Sequence, residues 1–261
     1  MNMRIVPRES QERSTEMNLN VVWSAPESQL QLNKNEVHVW RASIDVNPRF
    51  QAVLACFLDS DERRRASQFV FGRDRNHFVA AHGILRQILG GYLQRSPGEL
   101  RFTLGRHGKP ALRNETGCAD VRFNLSYSGE LALMAVALER EVGIDLEKIR
   151  TGVANENMET SIFTAWEQAE FRNALAEERE CVFFARWTCK EAYIKARGAG
   201  LQIPLKSFEV SLAPGQPPRL RCSDSGLWDL VSFSPSEDFA AALVVEGRNT
   251  QLRFWNFLNH E

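Results

Sequence analysis

Two carboxylates, Asp145 and Glu147, alternate with apolar residues in the segment VGIDLEK at positions 142–148. The alternation predicts a strand, and residues two apart on a strand point to the same face. Two carboxylates on one face repel each other unless a positive group lies between them. Mg²⁺ is such a group, because it binds one or two carboxylates and completes its shell with water and phosphate oxygens. The alternative is a solvated strand edge that ends in a charged turn.

A second group of chemically active side chains lies in the segment WTCKEAYIK at positions 187–195. On a helix, Glu191 and Lys195 are one turn apart on the flank of an apolar arc, whereas Lys190 lies within that arc. The Glu191–Lys195 pair has an ordinary alternative, a weak surface ion pair. A buried Lys190 ammonium needs a negative partner or a route to a cleft. An acid, a base and metal ligands together suit phosphoryl-type transfer, in which catalysis is mainly positioning and charge neutralisation.

Basic residues and a turn in the first half add candidate phosphate contacts. Five arginines occur within positions 63–75, and Arg86 follows in the same helical region. Arginine forks suit phosphate oxygens, although a solvated helix face is the ordinary alternative for each of them. The sequence GRHGKP at 105–110 predicts a turn whose backbone groups and Lys109 can face an adenine edge or a phosphate. The segment NLSYSG at 124–129 places hydroxyl groups beside a second tight turn.

The overall composition is that of a soluble globular protein, with 43% hydrophobic and 25% charged residues among 261. A formal net charge of -1 argues against a general nucleic-acid binder, which carries a basic excess. Five scattered cysteines form no C-x-x-C pair, so we expect reduced thiols and a cytoplasmic location. No apolar run approaches the roughly 20 residues of a membrane helix, and the polar N-terminus lacks the apolar core of a signal peptide.

The order of predicted elements occurs twice along the chain. A polar segment at 1–35 is expected to be a flexible leader. Each half then shows a strand, a helical region and three strands, which predicts an α+β fold with two pseudo-symmetric α/β halves at 36–139 and 140–248. A cleft between such halves is a favoured ligand site, and the tail at 249–261 is expected to add an edge strand or pack across the surface. The predicted strands are 37–40, 100–104, 121–126, 131–138, 142–149, 208–212, 227–233 and 239–245, and the helical regions are 47–94 (broken near Gly72), 159–176 and 178–196.

Five stretches of the chain together resemble one enzyme family. They are GRHGKPAL (105–112), FNLSYSG (123–129), VGIDLEKI (142–149), the stretch 163–167 and WTCKEAYIKARGAGL (187–201). In this order they resemble the broad-specificity 4′-phosphopantetheinyl transferases, the surfactin-synthetase-activating type that primes nonribosomal peptide and polyketide synthases. The resemblance implies two similar α+β halves, with coenzyme A in the cleft between them. It also implies Mg²⁺, or Mn²⁺ in its place, on the pyrophosphate of coenzyme A.

The resemblance implies roles for individual residues as well. Asp145, Glu147 and Glu191 correspond to the metal carboxylates, and Asp145 and Glu191 also count among the catalytic groups. Lys195 corresponds to a catalytic lysine that contacts the phosphates of coenzyme A and assists the leaving group. Where the best-known members have a phosphate-contacting histidine, this chain has Tyr127, which donates a hydrogen bond but carries no positive charge near neutral pH. The other residues implied to bind coenzyme A are Arg65, Arg73, Arg75, Gly108, Lys109, Pro110, Ser126 and Lys190.

The activity implied by the resemblance is transfer of 4′-phosphopantetheine from coenzyme A to a serine of an apo acyl, peptidyl or polyketide carrier domain, with release of 3′,5′-ADP. Glu191 would take the serine proton, directly or through a water. Two intact halves in one chain predict a functional monomer, with neither nucleic acid nor a membrane as a partner. Two other functions are compatible with the residues: a magnesium-dependent phosphodiesterase or nuclease, and a non-catalytic module that binds coenzyme A or a carrier protein.

Overall fold

A computed structural model describes residues 21–27, 29–113, 120–213 and 216–258. The fold consists of two successive sets of elements and one further strand. The first set comprises β1 (Glu36–Ser43), α1 (Pro48–Phe57), α2 (Ser60–Ser67), α3 (Gly72–Leu93), β2 (Phe102–Leu104), β3 (Pro110–Leu112), β4 (Val121–Ser128) and β5 (Leu131–Leu138). The second set comprises β6 (Val142–Lys148), α4 (Glu156–Ile162), α5 (Ala165–Arg172), α6 (Arg179–Arg197), β7 (Glu209–Ser211), β8 (Arg219–Arg221), β9 (Trp228–Phe233) and β10 (Phe239–Glu246), and β11 (Gln251–Asn256) follows.

The two sets share one strand topology. In the first set β5 lies between β1 and β4, and in the second set β10 lies between β6 and β9, with each of these pairs antiparallel. Each set also carries a two-stranded hairpin, β2–β3 or β7–β8, ahead of its last two strands. The α+β fold class is confirmed. The predicted order of a strand, helices and three strands lacks one short strand in each half, β3 or β8, each of which forms the second strand of its hairpin.

Four layers stack in the order helix, sheet, sheet, helix. One face of the first sheet packs on α3, with Trp40 and Ile84 in the same apolar cluster. Its other face meets the second sheet, where Val39 and Ile144 share a cluster. Helix α6 covers the outer face of the second sheet through residues such as Ala192. Strands β1, β5, β6 and β10 are buried on both faces along most of their length, because each lies between a helix and the other sheet. No helix of the described ranges is long and apolar enough to span a membrane.

The C-terminal tail joins the first sheet. Strand β11 pairs in parallel with β1, so the sheet order is β11-β1-β5-β4. An isolated bridge links Ser24 to Trp255, and Trp23 packs against Phe233 and Phe254 with ring centroids 6.4 and 5.3 Å away. Residues 21–27 of the predicted leader therefore contact the folded protein. Residues 1–20 lie outside the described ranges, where the flexible leader stays a prediction.

The helical region predicted at 159–176 consists of two helices, α4 and α5, rather than one. Thr164 starts α5, because its hydroxyl accepts a hydrogen bond from the Glu167 amide at 3.2 Å and the Glu167 carboxylate accepts one from the Thr164 amide at 2.8 Å. This reciprocal capping box interrupts the helix. The region at 47–94 is broken near Gly72 as predicted, and also at Asp59, which caps α2 in the same way.

Candidate active site

Strand β6 and helix α6 carry the predicted acid and base residues, and Gly143 allows them to approach each other. A β-carbon at Gly143 would lie 2.2 Å from the carbonyl oxygen of Ala192 and 2.3 Å from the amide nitrogen of Ala196. Only glycine leaves room for the main chain of α6 at that distance. Glu191 and Lys195 each precede one of these two contact points, so the close packing brings both to the carboxylate face of β6.

The alternation predicted for β6 is confirmed. Ile144 and Leu146 are buried in the cluster between the sheets, whereas the carboxylate of Asp145 is on the opposite face. Its Oδ1 atom accepts hydrogen bonds from Lys195 Nζ at 2.6 Å and from Ser126 Oγ at 3.0 Å. Its Oδ2 atom is buried and has no hydrogen-bond partner among the described residues. A buried carboxylate oxygen without a partner is a ready position for a cation.

Glu147 and Glu191 complete an acidic cluster around Asp145. Burial, and then repulsion from the Asp145 carboxylate, raises the pKa of both glutamates. Glu147 Oε2 accepts a hydrogen bond from Ser128 Oγ at 3.0 Å. Glu191 lies between core and solvent, and its carboxylate accepts no hydrogen bond from the residues that the structure describes. Burial and mutual repulsion both disfavour the charged forms of these two glutamates, and a bound cation would relieve that cost.

The donor chemistry of this cluster fits a hard divalent cation. No three His, Cys, Asp or Glu side chains of the described residues are already arranged as a metal-ligand group. The carboxylates of Asp145, Glu147 and Glu191 nevertheless supply the oxygen donors that Mg²⁺ and Mn²⁺ prefer. The ammonium group of Lys195 balances the Asp145 charge in the structure. These three carboxylates are the candidate metal ligands.

A cleft of about 480 Å³ opens beside the cluster, where Lys195 of the second half meets the first half. Lys195 uses two of its three N–H donors on Asp145 and Ser126, which leaves one for a ligand. Burial raises the pKa of the Tyr127 phenol, although the nearby Arg65 acts in the opposite direction. Tyr127 therefore stays neutral at physiological pH. The cleft wall includes Arg64, Arg65, His82, Phe102, Gly108, Pro110, Ser126, Tyr127 and Lys195.

Lys190 lies away from this cleft and is fully buried. Its ammonium group contacts the carboxylate of Glu167 and donates to the carbonyl oxygens of Leu205 and Phe208. All three of its N–H donors are thereby used. The negative partner expected for a lysine in the apolar arc is present. The expectation that Lys190 binds coenzyme A is not met, because its side chain has neither access nor a free donor.

Lys109 also points away from the cleft, although its neighbours Gly108 and Pro110 lie on the wall. Gly108 has φ +85°, a left-handed conformation that favours glycine in this turn. The Lys109 ammonium contacts Glu141 at 2.7 Å and two backbone carbonyl oxygens, one at the start of β6 and one near the end of α6. Lys109 therefore ties the β2–β3 hairpin to the second half, and the expectation that its ammonium reaches coenzyme A is not met.

The arginines of the first half have different positions. Arg65 is exposed, lies on the cleft wall and stacks over Phe78 at 5.3 Å. Arg73 and Arg75 are exposed and are not part of that wall. Arg86 is fully buried, and its guanidinium group is bound by carboxylates and backbone carbonyl oxygens. Of the predicted coenzyme A arginines Arg65, Arg73 and Arg75, the structure brings Arg65 to the cleft, where Arg64 from the same cluster also lies on the wall.

Sequence reasoning missed two residues at this site. Gly143 determines how closely β6 and α6 pack, and a glycine inside a predicted strand is a recognised sign of close backbone approach. His82 lies on the cleft wall, where its ring stacks on Phe78 with centroids 4.0 Å apart and its Nδ1 atom is 3.1 Å from Glu62. No spacing in the sequence indicates that position.

Three known proteins illustrate what this chain is similar to. The 4′-phosphopantetheinyl transferase HetI of Nostoc sp. is 38% identical over 239 residues, which are 92% of this chain and 100% of that protein. The 4′-phosphopantetheinyl transferase Sfp of Bacillus subtilis (strain 168) is 27% identical over 170 residues, 65% of this chain and 71% of that protein. A solved holo-(acyl-carrier-protein) synthase from Bacillus anthracis in complex with CoA (3′,5′-ADP) matches 41% of this chain and 96% of its own, with 27% identity and a TM-score of 0.37.

Family descriptions cover both halves of the chain. Residues 39–139 match the description "4′-phosphopantetheinyl transferase, N-terminal", and residues 141–244 match the "4′-phosphopantetheinyl transferase superfamily". The second range contains β6 and α6, which hold the acidic cluster and Lys195. Together with the similarity to HetI along nearly the whole chain, these matches show that the protein is an enzyme of the 4′-phosphopantetheinyl transferase superfamily.

Proposed function

We propose that the enzyme transfers 4′-phosphopantetheine from coenzyme A to a serine of apo carrier proteins and releases 3′,5′-ADP. The observation that carries this proposal is the position of Lys195, which binds Asp145 and also lies on the cleft wall. One residue thus joins the acidic cluster to a cavity of about 480 Å³, a size typical of small-molecule sites. A pyrophosphate at that junction would contact the ammonium group of Lys195. It would also lie beside the carboxylates that would hold a metal ion.

Coenzyme A fits the chemistry of the cleft wall. Arg65 and Lys195 supply positive charge for its phosphates. The turn at Gly108 and Pro110 supplies backbone groups for the adenine edge. The neutral Tyr127 phenol supplies one more hydrogen bond. A magnesium ion, or manganese in its place, would be held by Asp145, Glu147 and Glu191 and would neutralise charge on the pyrophosphate.

Separate residues of the chain then serve proton transfer and charge stabilisation. Glu191 is the general base, because its carboxylate accepts no hydrogen bond from the described residues and is free to take a proton directly or through a water. It removes the proton of the carrier serine, whose oxygen forms a bond to the β-phosphorus of coenzyme A. The bond from that phosphorus to the bridging oxygen breaks, and Lys195 donates a hydrogen bond to the departing 3′,5′-ADP. Asp145 holds the Lys195 ammonium in place for this step.

The substrate range, subgroup, oligomeric state and location belong to the same proposal. We place the enzyme with the broad-specificity group that serves acyl, peptidyl and polyketide carrier domains, on the motifs quoted above and the similarity to Sfp. It acts as a monomer, because one chain supplies both halves, including the first-half cleft wall and Lys195 of the second half. It works in the cytoplasm on carrier proteins, without nucleic-acid or membrane partners. The free thiols of Cys56, Cys181, Cys189 and Cys222 are consistent with a reducing compartment.

Intact-protein mass spectrometry tests the proposal directly. The enzyme is incubated with coenzyme A, Mg²⁺ and an apo carrier domain, and the carrier is weighed at intervals. A mass gain of one phosphopantetheine arm, abolished by EDTA and strongly reduced in Asp145→Asn, is the expected result. Cleavage of coenzyme A without a carrier would instead indicate a phosphodiesterase. Binding of coenzyme A with no product of either kind would indicate a non-catalytic module.

A further inference from the structure

Strands β4 and β6 run side by side in parallel but belong to different sheets. In the described residues no backbone ladder pairs β4 with β6, and side chains of β4 connect the two strands instead. Asn124 Oδ1, Ser126 Oγ and Ser128 Oγ accept hydrogen bonds from the backbone amides of residues 144, 146 and 148 at 2.8, 3.2 and 3.1 Å. Alternate residues of β4 thus satisfy alternate amides of β6, which would otherwise be buried donors without partners.

Two of these three side chains also hold a carboxylate. Ser126 Oγ donates to Asp145 Oδ1, and Ser128 Oγ donates to Glu147 Oε2, each at 3.0 Å. Each hydroxyl therefore bridges a carboxylate and the backbone amide of the residue that follows it. Such a bridge restricts the rotamer of the acidic side chain relative to its own strand. Asn124 makes the same kind of backbone bond, and no carboxylate of the described residues forms a hydrogen bond with it.

The hydrogen-bonding capacity of Ser126 is fully used. A serine hydroxyl has one donor hydrogen and two acceptor lone pairs. The hydrogen goes to Asp145, and the lone pairs accept from the backbone amide of Leu146 and from Lys195 Nζ at 2.9 Å. No donor or acceptor position is left for a phosphate or an adenine. Its contact set thus differs from that of a substrate ligand, the role that the family resemblance implies for it.

We propose that Ser126 and Ser128 are positioning residues that aim the carboxylates of Asp145 and Glu147, and that neither is a ligand of coenzyme A. This inference rests on the proposed transferase function. Ser126 and Lys195 both bind Oδ1 of Asp145, so the carboxylate has one fixed orientation. Its Oδ2 atom, which has no hydrogen-bond partner among the described residues, therefore points in one direction. The side chains of β4, in the first half, thereby orient the carboxylates of the acidic cluster in the second half. Supporting side chains of this kind orient the groups that hold a metal.

Four variants test the inference: Ser126→Ala, Ser126→Thr, Ser128→Ala and Asn124→Ala. For each we would measure kcat, the KM for coenzyme A, the Kd for coenzyme A by calorimetry without carrier protein, and the Tm. Ser126→Ala and Ser128→Ala should lower kcat by about 10- to 100-fold, the usual effect of losing a supporting hydrogen bond. Their Kd for coenzyme A should change by less than about threefold, since loss of kcat without loss of ground-state binding marks a positioning effect.

The other two variants distinguish an effect on the orientation of the carboxylates from an effect on the stability of the fold. Ser126→Thr keeps the hydroxyl and should recover most of the lost kcat. Asn124 also lies on the cleft wall, so Asn124→Ala is compared by its Tm and by its kcat at saturating coenzyme A, and not by its Kd. It removes a bond between the strands that involves no carboxylate, so it should lower the Tm about as much as Ser126→Ala while kcat falls much less. If Ser126→Ala does not fold, the half-buried Ser128→Ala gives the decisive kcat and Kd.

Three results would contradict the inference. A Kd for coenzyme A raised more than about tenfold in Ser126→Ala, with kcat retained, would make Ser126 a substrate ligand. Losses of kcat that merely follow Tm across all variants, Asn124→Ala included, would leave a structural role only. A threonine variant as slow as the alanine variant would also count against positioning by the hydroxyl. Absence of transfer by the wild-type enzyme is a different result, which would overturn the proposed function itself.

Discussion

Glu167 and Lys190 form an ion pair 2.9 Å long in which both side chains are completely buried. Glu167 also accepts hydrogen bonds from the backbone amides of Thr164 and Val210, each at 2.8 Å. One carboxylate thus joins the start of α5, strand β7 and the middle of α6. A buried ion pair is tolerated only when its remaining donors and acceptors are satisfied, as they are for this one. The ion pair holds α6 against α5 and β7, and the acidic cluster lies on a different side of α6.

Loss of Lys190 should therefore damage folding rather than substrate binding. Lys190→Met leaves Glu167 as an uncompensated buried charge, which typically costs about 3–5 kcal/mol in the free energy of unfolding. Urea denaturation measures this loss. The same substitution at the exposed Lys206 is the matched control and should change stability by less than about 0.5 kcal/mol. A stable Lys190→Met enzyme with weakened coenzyme A binding would show that Lys190 acts on the substrate after all.

A methyl group at Gly143 should separate β6 from α6. Because the added atom would meet backbone rather than a flexible side chain, Gly143→Ala should cost at least about 1–3 kcal/mol of stability. The shift should also lower kcat, since Glu191 and Lys195 move with the helix relative to Asp145. Thermal melts and transfer assays on the same preparation measure both effects. Gly98→Ala, where a β-carbon meets nothing within 4 Å, is the control, and equal losses in the two variants would contradict the packing argument.

Neutralising Glu191 should stabilise the metal-free protein while removing activity. Burial and Asp145 raise the pKa of Glu191 in the folded state above its ordinary 4.5. Folded protein then binds more protons than unfolded protein, so this group costs stability as pH rises from 4.5 through the raised pKa. In EDTA at pH 7, Glu191→Gln should melt above wild type, and the gap should close at low pH.

The same variant should lose about 10²–10⁴-fold in kcat, the usual contribution of a general base. Mg²⁺ should raise the Tm of the wild type more than that of Glu191→Gln, because a ligand stabilises the form that binds it. The exposed Glu177→Gln serves as the control and should match wild type in every measurement. A lower Tm for Glu191→Gln throughout the pH range would contradict the proposed repulsion.

Arg65 and Arg75 should differ in their effect on coenzyme A. Arg65 lies on the cleft wall, so Arg65→Ala should weaken coenzyme A binding about tenfold or more, as expected for a hydrogen bond to a charged group. That loss should shrink at high salt, because ions screen the exposed guanidinium group. Arg75→Ala should alter the Kd by less than about threefold, as for other exposed charges away from a site. Calorimetry at two salt concentrations measures both variants, and equal losses would contradict the assignment of the cleft.

Local patterns were sufficient for several features of this protein. The alternation in VGIDLEK correctly placed Ile144 and Leu146 in the core and Asp145 on the opposite face. The repeated order of strands and helices matches the repeated topology of the two halves. These features depend on the period of a strand or a helix, which the residues themselves define. The family motifs, read in order, indicated the enzyme class that the comparisons show.

Other features depended on which elements meet in three dimensions. Phosphate binding needs positive charge, which Lys190, Lys109 and Arg86 carry. Each of these side chains instead binds carboxylates and carbonyl oxygens of neighbouring elements. A long basic side chain reaches partners in many directions, and its spacing along the chain does not select among them. Thr164 starts α5 through a capping box with Glu167 three residues along the chain, whereas Ser126 has its three partners on a distant strand, β6, and a distant helix, α6. The sequence by itself determined which residues can do this chemistry and which face of its element each occupies. The packing of β4, β6 and α6 decided which of them share a site, because contacts between distant segments depend on how whole layers fit together.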